Sequence, residues 1–530
     1  LSSSTLHFGS DAHRALARGY RRAATLVAGT MGPFGRAVLV ERPHHAPRLI
    51  RDGYRLMQEL EIEPGPPQMA VQTLRELAWR TVDAVGDGSS SAIVATAAML
   101  DVALPAITAG HVGSALQAEL DRLAPILMAG IARRTRPLAD RDELTRVAVM
   151  AAGDDADIGH LVARALTAVG PGGHVQVDTS PAREDSLDHE AGLCFDQGWL
   201  SSGFAQDEPE GAILLDDPLI VLHRHPITDL APLIRVLEMV AEANRSLLII
   251  AENVTGQALT TLLLNQRQVG LKVAAVKAPG HGVWRDVMLE DLAIATGGTV
   301  IAPERGTTLG ELRPAMLGRA DRARVTRQGT SIVGGRGAPQ SLAERRAAIG
   351  RQIKAEQHLD FDREQHRKRL ARLSGGIATL RIAGRIAVEA EERCQRAKRA
   401  LAAARAAEQD GVTTIGAALA VLAELKANPE GGLPAALALR MLEAGVSAPI
   451  QAVAANRGLD GAAVARRLLA SPESAYDVIT DAVINARSTT LPESAAVLRT
   501  AIGGAISAAS ALMRVDLTIS QAERVSEMTM

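Results

Sequence analysis

Apolar positions follow a helical period towards both ends of the chain and a different texture in the middle. Residues 10–30 alternate Ala and Leu with Arg in a helical rhythm that stops at the break "GTMGPFG". "RAVLVE" (36–41) and "APRLIRDG" (46–53) read as a strand pair ending in a turn at Asp52-Gly53. Helical patterns fill most of 55–170. Between about 172 and 305 the short apolar runs "LIVLH", "SLLIIAE", "LKVAAVKA" and "GGTVIA" are each followed by polar or helical sequence, which predicts βαβ units. Residues 341–373 form a charged helical stretch closed by Gly375-Gly376, most simply a solvated face. A long alanine/arginine helix is expected over 386–409, and helices again over 411–530. The predicted class is multidomain α + α/β.

Composition narrows this picture. Hydrophobic residues make up 47% of the 530 positions but aromatics only 2%, so the cores must be built from Ala, Val, Leu and Ile. The net charge of −2 leaves no bulk basic footprint, so no nucleic-acid partner is expected. Cys194 and Cys394 are the only cysteines, which excludes a disulfide framework or cysteine-rich zinc site and fits a reducing cytoplasm. The histidines lack metal-ligand spacing. No apolar run reaches the ~18 residues of a membrane span, since Asp101 interrupts 92–107 and 501–513 is short and glycine-rich; no membrane role is expected. The first residues lack the continuous apolar core of a secretory signal.

Candidate chemistry concentrates in "GDGSSS" (86–91), which precedes an apolar helical run. One reading is a helix cap, with Asp87 or Ser89 accepting a first-turn N–H. The other is an anion site: glycines admit a close backbone approach, N–H groups and hydroxyls face the anion, and a carboxylate holds a divalent cation. Taken alone, the stretch favours the cap.

Several segments together resemble group I chaperonins of the GroEL type. They are "TMGPFGRAVLVE" (30–41), "IRDG" (50–53), "AVGDGSSSAIV" (84–94), "FDQGWLSSGF" (195–204), "LLIIAENVTGQALTTLLLN" (247–265), "KVAAVKAPGHGVWRDVMLEDLAIATGGTVI" (272–301) and "DREQHRKRLARLSGGIATLRI" (362–382). The likeness runs in order from His7 to about Leu425 and thins beyond. It implies a subunit of a homo-oligomeric sevenfold ring with a helical equatorial domain (1–134 and 411–530), a small intermediate domain (135–190 and 377–410) and an α/β apical domain (191–376). Such rings bind non-native polypeptide on apical apolar surfaces, are driven by ATP with Mg, and can take a co-chaperonin lid.

The resemblance assigns nucleotide contacts to Thr30, Met31, Gly32, Pro33, Arg51, Asp87, Gly88, Ser89, Ser90, Ser91 and Gly416. Asp87 would hold magnesium, and Asp52 would be the acid near the γ-phosphate. The other wall departs from the pattern. Where the family carries an aspartate that orients the attacking water, this chain has Arg399; Glu392 and Glu408 lie more than ~10 Å away along the helix. Arg399 could clamp a triphosphate, replace the metal by pairing with Asp52 and Asp87, or point away from a dead site. Whether the chain is an enzyme is therefore open at this stage. The ribose-binding acid is not recognisable, with Leu491 roughly in its place.

The apical groove keeps its apolar character at Trp199, Phe204, Ile234, Leu237, Leu259, Leu263 and Leu264, while Gly203 loses an aromatic. Spacing alone puts Leu259, Leu262 and Leu263 on one helix face and Leu233, Ile234 and Leu237 on another, which without the family reads as core packing. With it, the expected function is a specialised chaperonin that binds non-native polypeptide and hydrolyses ATP weakly or not at all. The alternatives are an ATP-driven foldase with a relocated acid, or a structural subunit of mixed rings.

Overall fold

The computed structural model describes residues 4–42, 47–170, 173–205, 211–355, 360–427, 431–471, 474–485 and 491–521. The chain divides into two compact units. The first gathers Leu1–Ala163, Thr179–Asp185 and Ile382–Met530; the second gathers Arg164–Asp178 and Ser186–Arg381.

The first unit is a helical core around Ser89–Thr108, which packs against Gly9–Ala28, Pro66–Val85, Leu433–Asn456 and Ala495–Leu512. Ala, Leu, Ile, Val and Met fill it. Small residues replace aromatics as the packing device: a Cβ at Gly445 would overlap the Met99 side chain, so this glycine lets two helices approach closely. Three helices here, Ser89–Thr108, Leu433–Asn456 and Ala495–Leu512, are long and apolar enough to cross a membrane by length and composition. That corrects the expectation drawn from uninterrupted runs. Asp101 does not break its helix, because Tyr20 Oη (2.8 Å) and Arg21 Nε (2.7 Å) both donate to its carboxylate.

Antiparallel ribbons decorate this unit. Val38–Val40 pairs with Arg48–Ile50 as expected, but Asp52 then caps the helix Gly53–Glu59 instead of making a turn. Ser4–Phe8 pairs with Leu517–Gln521, Val412–Thr414 with Pro492–Ser494, and Ser474–Asp477 with Ala482–Asn485. The last two show that 411–530 is not helical throughout.

In the second unit, Leu219–His223, Leu247–Ala251 and Val273–Lys277 are parallel neighbours, and Val300–Ile301 joins beside the first. These are the four predicted apolar runs. Because the first three progress in one direction, right-handed crossovers put helices Ala231–Ala243 and Gly256–Val269 on one face of the sheet. A six-stranded sheet and the helix pair Pro339–Ala355 and Asp360–Ser374 complete the unit. The charged 341–373 stretch is thus two helices, and its charges are not all solvated. Arg369, 2% exposed, and Arg345 converge on Asp291 of the helix Val283–Thr296.

Candidate nucleotide site and an apolar face of the second unit

Helix Gly9–Ala28 ends in a tight loop held by Asn456, whose Nδ2 donates to Ala28 O (2.8 Å) and Met31 O (2.9 Å). Thr30 is buried and its hydroxyl donates back to Val27 O (2.7 Å). Opposite, the helix Ser89–Thr108 begins at Gly88, whose φ of +88° suits glycine, and no side chain caps it. The capping reading of "GDGSSS" therefore fails. Asp87 instead accepts the N–H of Gly88, and the first-turn N–H groups have no intrahelical acceptor.

Between these elements lies a cavity of about 260 Å³. Of the predicted residues, Met31, Gly32, Pro33, Gly88, Ser91 and Gly416 line it. Ser89 is buried in the helix start, and Ser90 packs against Gly53, next to Asp52. Arg51, Asp52 and Arg399 line a separate small crevice with Glu391 and Glu392. Arg51 donates to Gly35 O (2.9 Å) and so braces the loop from outside the cavity. Burial lowers its pKa, and Arg396 and Arg399 push the same way.

Helix Ala387–Asp410 is docked at Gly86, where φ is +72° and a Cβ would overlap that of Ala402. One turn earlier on this face, Arg399 Nη1 stands 3.7 Å from Asp52 Oδ2, with side chains 20% and 14% exposed. Arg399 Nε is buried with no acceptor among the described residues. The neighbouring carboxylates pair with other arginines: one oxygen of Glu392 accepts from Arg396 (2.9 Å), and Glu391 lies 3.3 Å from Arg48 and 3.4 Å from Arg55. Asp87 joins crevice and cavity electrically. Burial raises its pKa, Arg399 and the Gly88 N–H oppose that, and Asp52 adds to it.

Two acids on the cavity wall escaped the sequence reading. Leu491 lines the wall as expected, and Glu493, two residues on in a strand, lies on the same side. Burial, and then Asp87, pushes Glu493 up to about 7. The strand period could have revealed it. Asp154, at φ +61°, is pushed up to about 6 by burial and by Asp477. Its folded pKa thus exceeds the ordinary 3.8, so ionising it costs stability as pH rises from about 4 through 6. Asp154→Asn, which tolerates positive φ, should therefore stabilise the protein at pH 8 by roughly 1–3 kcal/mol and give nothing at pH 4. Denaturant unfolding at both pH values checks this.

The donor set fits the phosphates of a nucleotide: an uncapped helix start, a hydroxyl at Ser91 and close backbone at Gly32, beside a cavity with an apolar lining. It does not fit magnesium at Asp87. Asp52 stands 3.7 Å from the Arg399 guanidinium, and a second cation placed beside that charge would be repelled.

In the second unit, Ile234 and Leu264 are each 46% exposed, on the two helices that share a sheet face. Trp199, Leu237, Leu259 and Leu263 are half-buried. Phe204 is fully buried, so it offers no surface; Gln266 Nε2 donates to its carbonyl (2.8 Å) and pins it beneath the helix Gly256–Val269. Leu233 and Leu262 are likewise core. Gly203 gives Leu263 its room.

The sequence model of the TCP-1/cpn60 chaperonin family matches residues 23–219 and 231–523. The chain belongs to that family. Its fold is similar to the crystal structure of the chaperonin gp146 from the bacteriophage EL 2 (Pseudomonas aeruginosa) in presence of ATP-BeFx. The TM-score is 0.73 at 16% identity, over 98% of this chain and 99% of that one. Family and fold together support a chaperonin-like role in protein folding.

Proposed function

We propose that this protein is a chaperonin specialised for one or a few client polypeptides, which holds a nucleotide in the Met31–Gly416 cavity and hydrolyses it weakly. The observation that supports the reading is the Arg399–Asp52 ion pair, a guanidinium at the helix position where the family resemblance expects a water-orienting carboxylate. The ATP analogue used with the phage chaperonin supports ATP as the nucleotide. The equatorial, intermediate and apical division at 134, 190, 376 and 410 belongs to the same proposal, as does a cytoplasmic setting. Leu6, Phe8, Leu517 and Ile519 on one two-stranded ribbon, and Leu39 on another, are exposed apolar side chains at open strand edges, which supports assembly into a ring, with seven copies expected.

Client binding rests on Ile234 and Leu264. Each is half-exposed, so covering it contributes about 1 kcal/mol, and replacing both with Ser should weaken capture of a denatured protein roughly 30-fold. Capture by the full-length protein, measured by co-elution of a labelled unfolded client, tests this. Unchanged capture by a folded Ile234→Ser/Leu264→Ser variant would overturn the apical assignment. Native mass measurement of the assembly tests the ring.

A further inference from the structure

We propose that Arg399 is the resident cation of the nucleotide site, so that ATP binds here without a divalent metal. The inference rests on the nucleotide reading above and goes beyond it by stating what neutralises the bound phosphates.

Asp52 lies in the crevice with Arg399, Glu493 lies on the cavity wall, and Asp87 is electrically coupled to both acids. A triphosphate brought among them needs a counter-charge. Arg399 supplies one from within the chain, already at ion-pair distance from Asp52 and electrostatically coupled to Asp87. Its position is fixed by packing. Ala402 seats the helix against Gly86, and Arg396, one turn earlier, is anchored to Asp155 (2.8 Å) and Glu392 (2.9 Å).

The Asp52 contact is long and leaves donors over. A 3.7 Å separation is beyond hydrogen-bond range, and Nε is buried with no acceptor among the described residues. A buried guanidinium N–H without an acceptor is costly, and a phosphate oxygen would satisfy it with the geometry guanidinium prefers. Arg51 is not an equal candidate, because its Nη2 is spent on Gly35 O. A metal would have to displace or repel Arg399, whereas the guanidinium already carries the charge and cannot be chelated away.

The test is calorimetric titration of ATP into the full-length protein, in excess magnesium and in excess EDTA. Wild type should bind with affinities within about threefold of each other in the two media. Arg399→Ala should weaken binding in EDTA about ten- to a hundredfold, the usual worth of a charge-assisted hydrogen bond. Arg399→Lys should recover part of that loss, which a purely structural role would not predict. Arg399→Asp should bind ATP only with magnesium. Circular dichroism confirms that each variant is folded. Wild-type binding that weakens tenfold or more in EDTA would overturn the inference and leave the nucleotide reading intact. No ATP binding in either medium would overturn both.

Discussion

Steady-state phosphate release from ATP should run roughly 10²–10⁴ below that of the same protein carrying Arg399→Asp assayed with magnesium. The argument is geometric. Water must be held by a carboxylate within hydrogen-bond reach of the reacting phosphate, and the crevice beside Asp52 presents a guanidinium on that wall. Asp52 itself is committed twice, to the N–H of Arg55 (2.9 Å) as a helix cap and to Arg399 as an ion pair. A wild-type rate equal to that of Arg399→Asp would overturn the prediction. If that rate were abolished by Glu392→Gln, the acid would be Glu392, which faces the same crevice and has one buried oxygen without a partner among the described residues.

A second large effect is expected far from nucleotide. Asp291 accepts from Arg345 Nε (2.7 Å), Arg369 Nε (2.7 Å) and Arg369 Nη2 (3.0 Å), tying three helices of the second unit together. Arg369 is 2% exposed, so Asp291→Ala would leave its charge buried without its carboxylate partner. Removing one member of such a pair costs about 3–5 kcal/mol. Trp284 stacks edge-on against His366 at 5.0 Å, next to this cluster, so its fluorescence should follow the loss in a urea titration. The double variant Asp291→Leu/Arg369→Leu should recover most of the stability, because it removes both charges together. A single variant that unfolds within about 1 kcal/mol of wild type would show that the cluster is not a buried tie.

What the sequence made legible follows from how local each signal is. The strand pair around residue 40, the four parallel strands and the long Ala387–Asp410 helix are short-range patterns, and the structure holds all of them. Arg399 was readable because helix register carries a position rigidly from one recognisable segment to the next. Asn456 was not, since it meets the site through a contact hundreds of residues away in the chain, and Glu493 needed a strand to be recognised in a stretch that reads as helical. Phe204 and Arg369 failed for a related reason. Their types suggested an exposed aromatic and a solvated charge, but partners from another helix, Gln266 and Asp291, settled their burial. Helix capping misled at "GDGSSS" because Ser and Asp are common caps, and only the backbone shows that Gly88 holds the cap position instead.

The ribbon formed by Ser4–Phe8 and Leu517–Gln521 has a consequence for biogenesis. Ser4–Phe8 must wait during synthesis for its partner Leu517–Gln521, and about 500 residues lie between them. At ~5–20 residues per second that wait is roughly 25–100 s. The middle unit, whose sheets are drawn from within 164–381, can close during translation, while the helices of residues 9–133 stay without the partners Leu433–Asn456 and Ala495–Leu512. Until those arrive, the side of Ser89–Thr108 that they cover stays open to solvent, so the half-made chain itself presents the kind of apolar surface that chaperones bind.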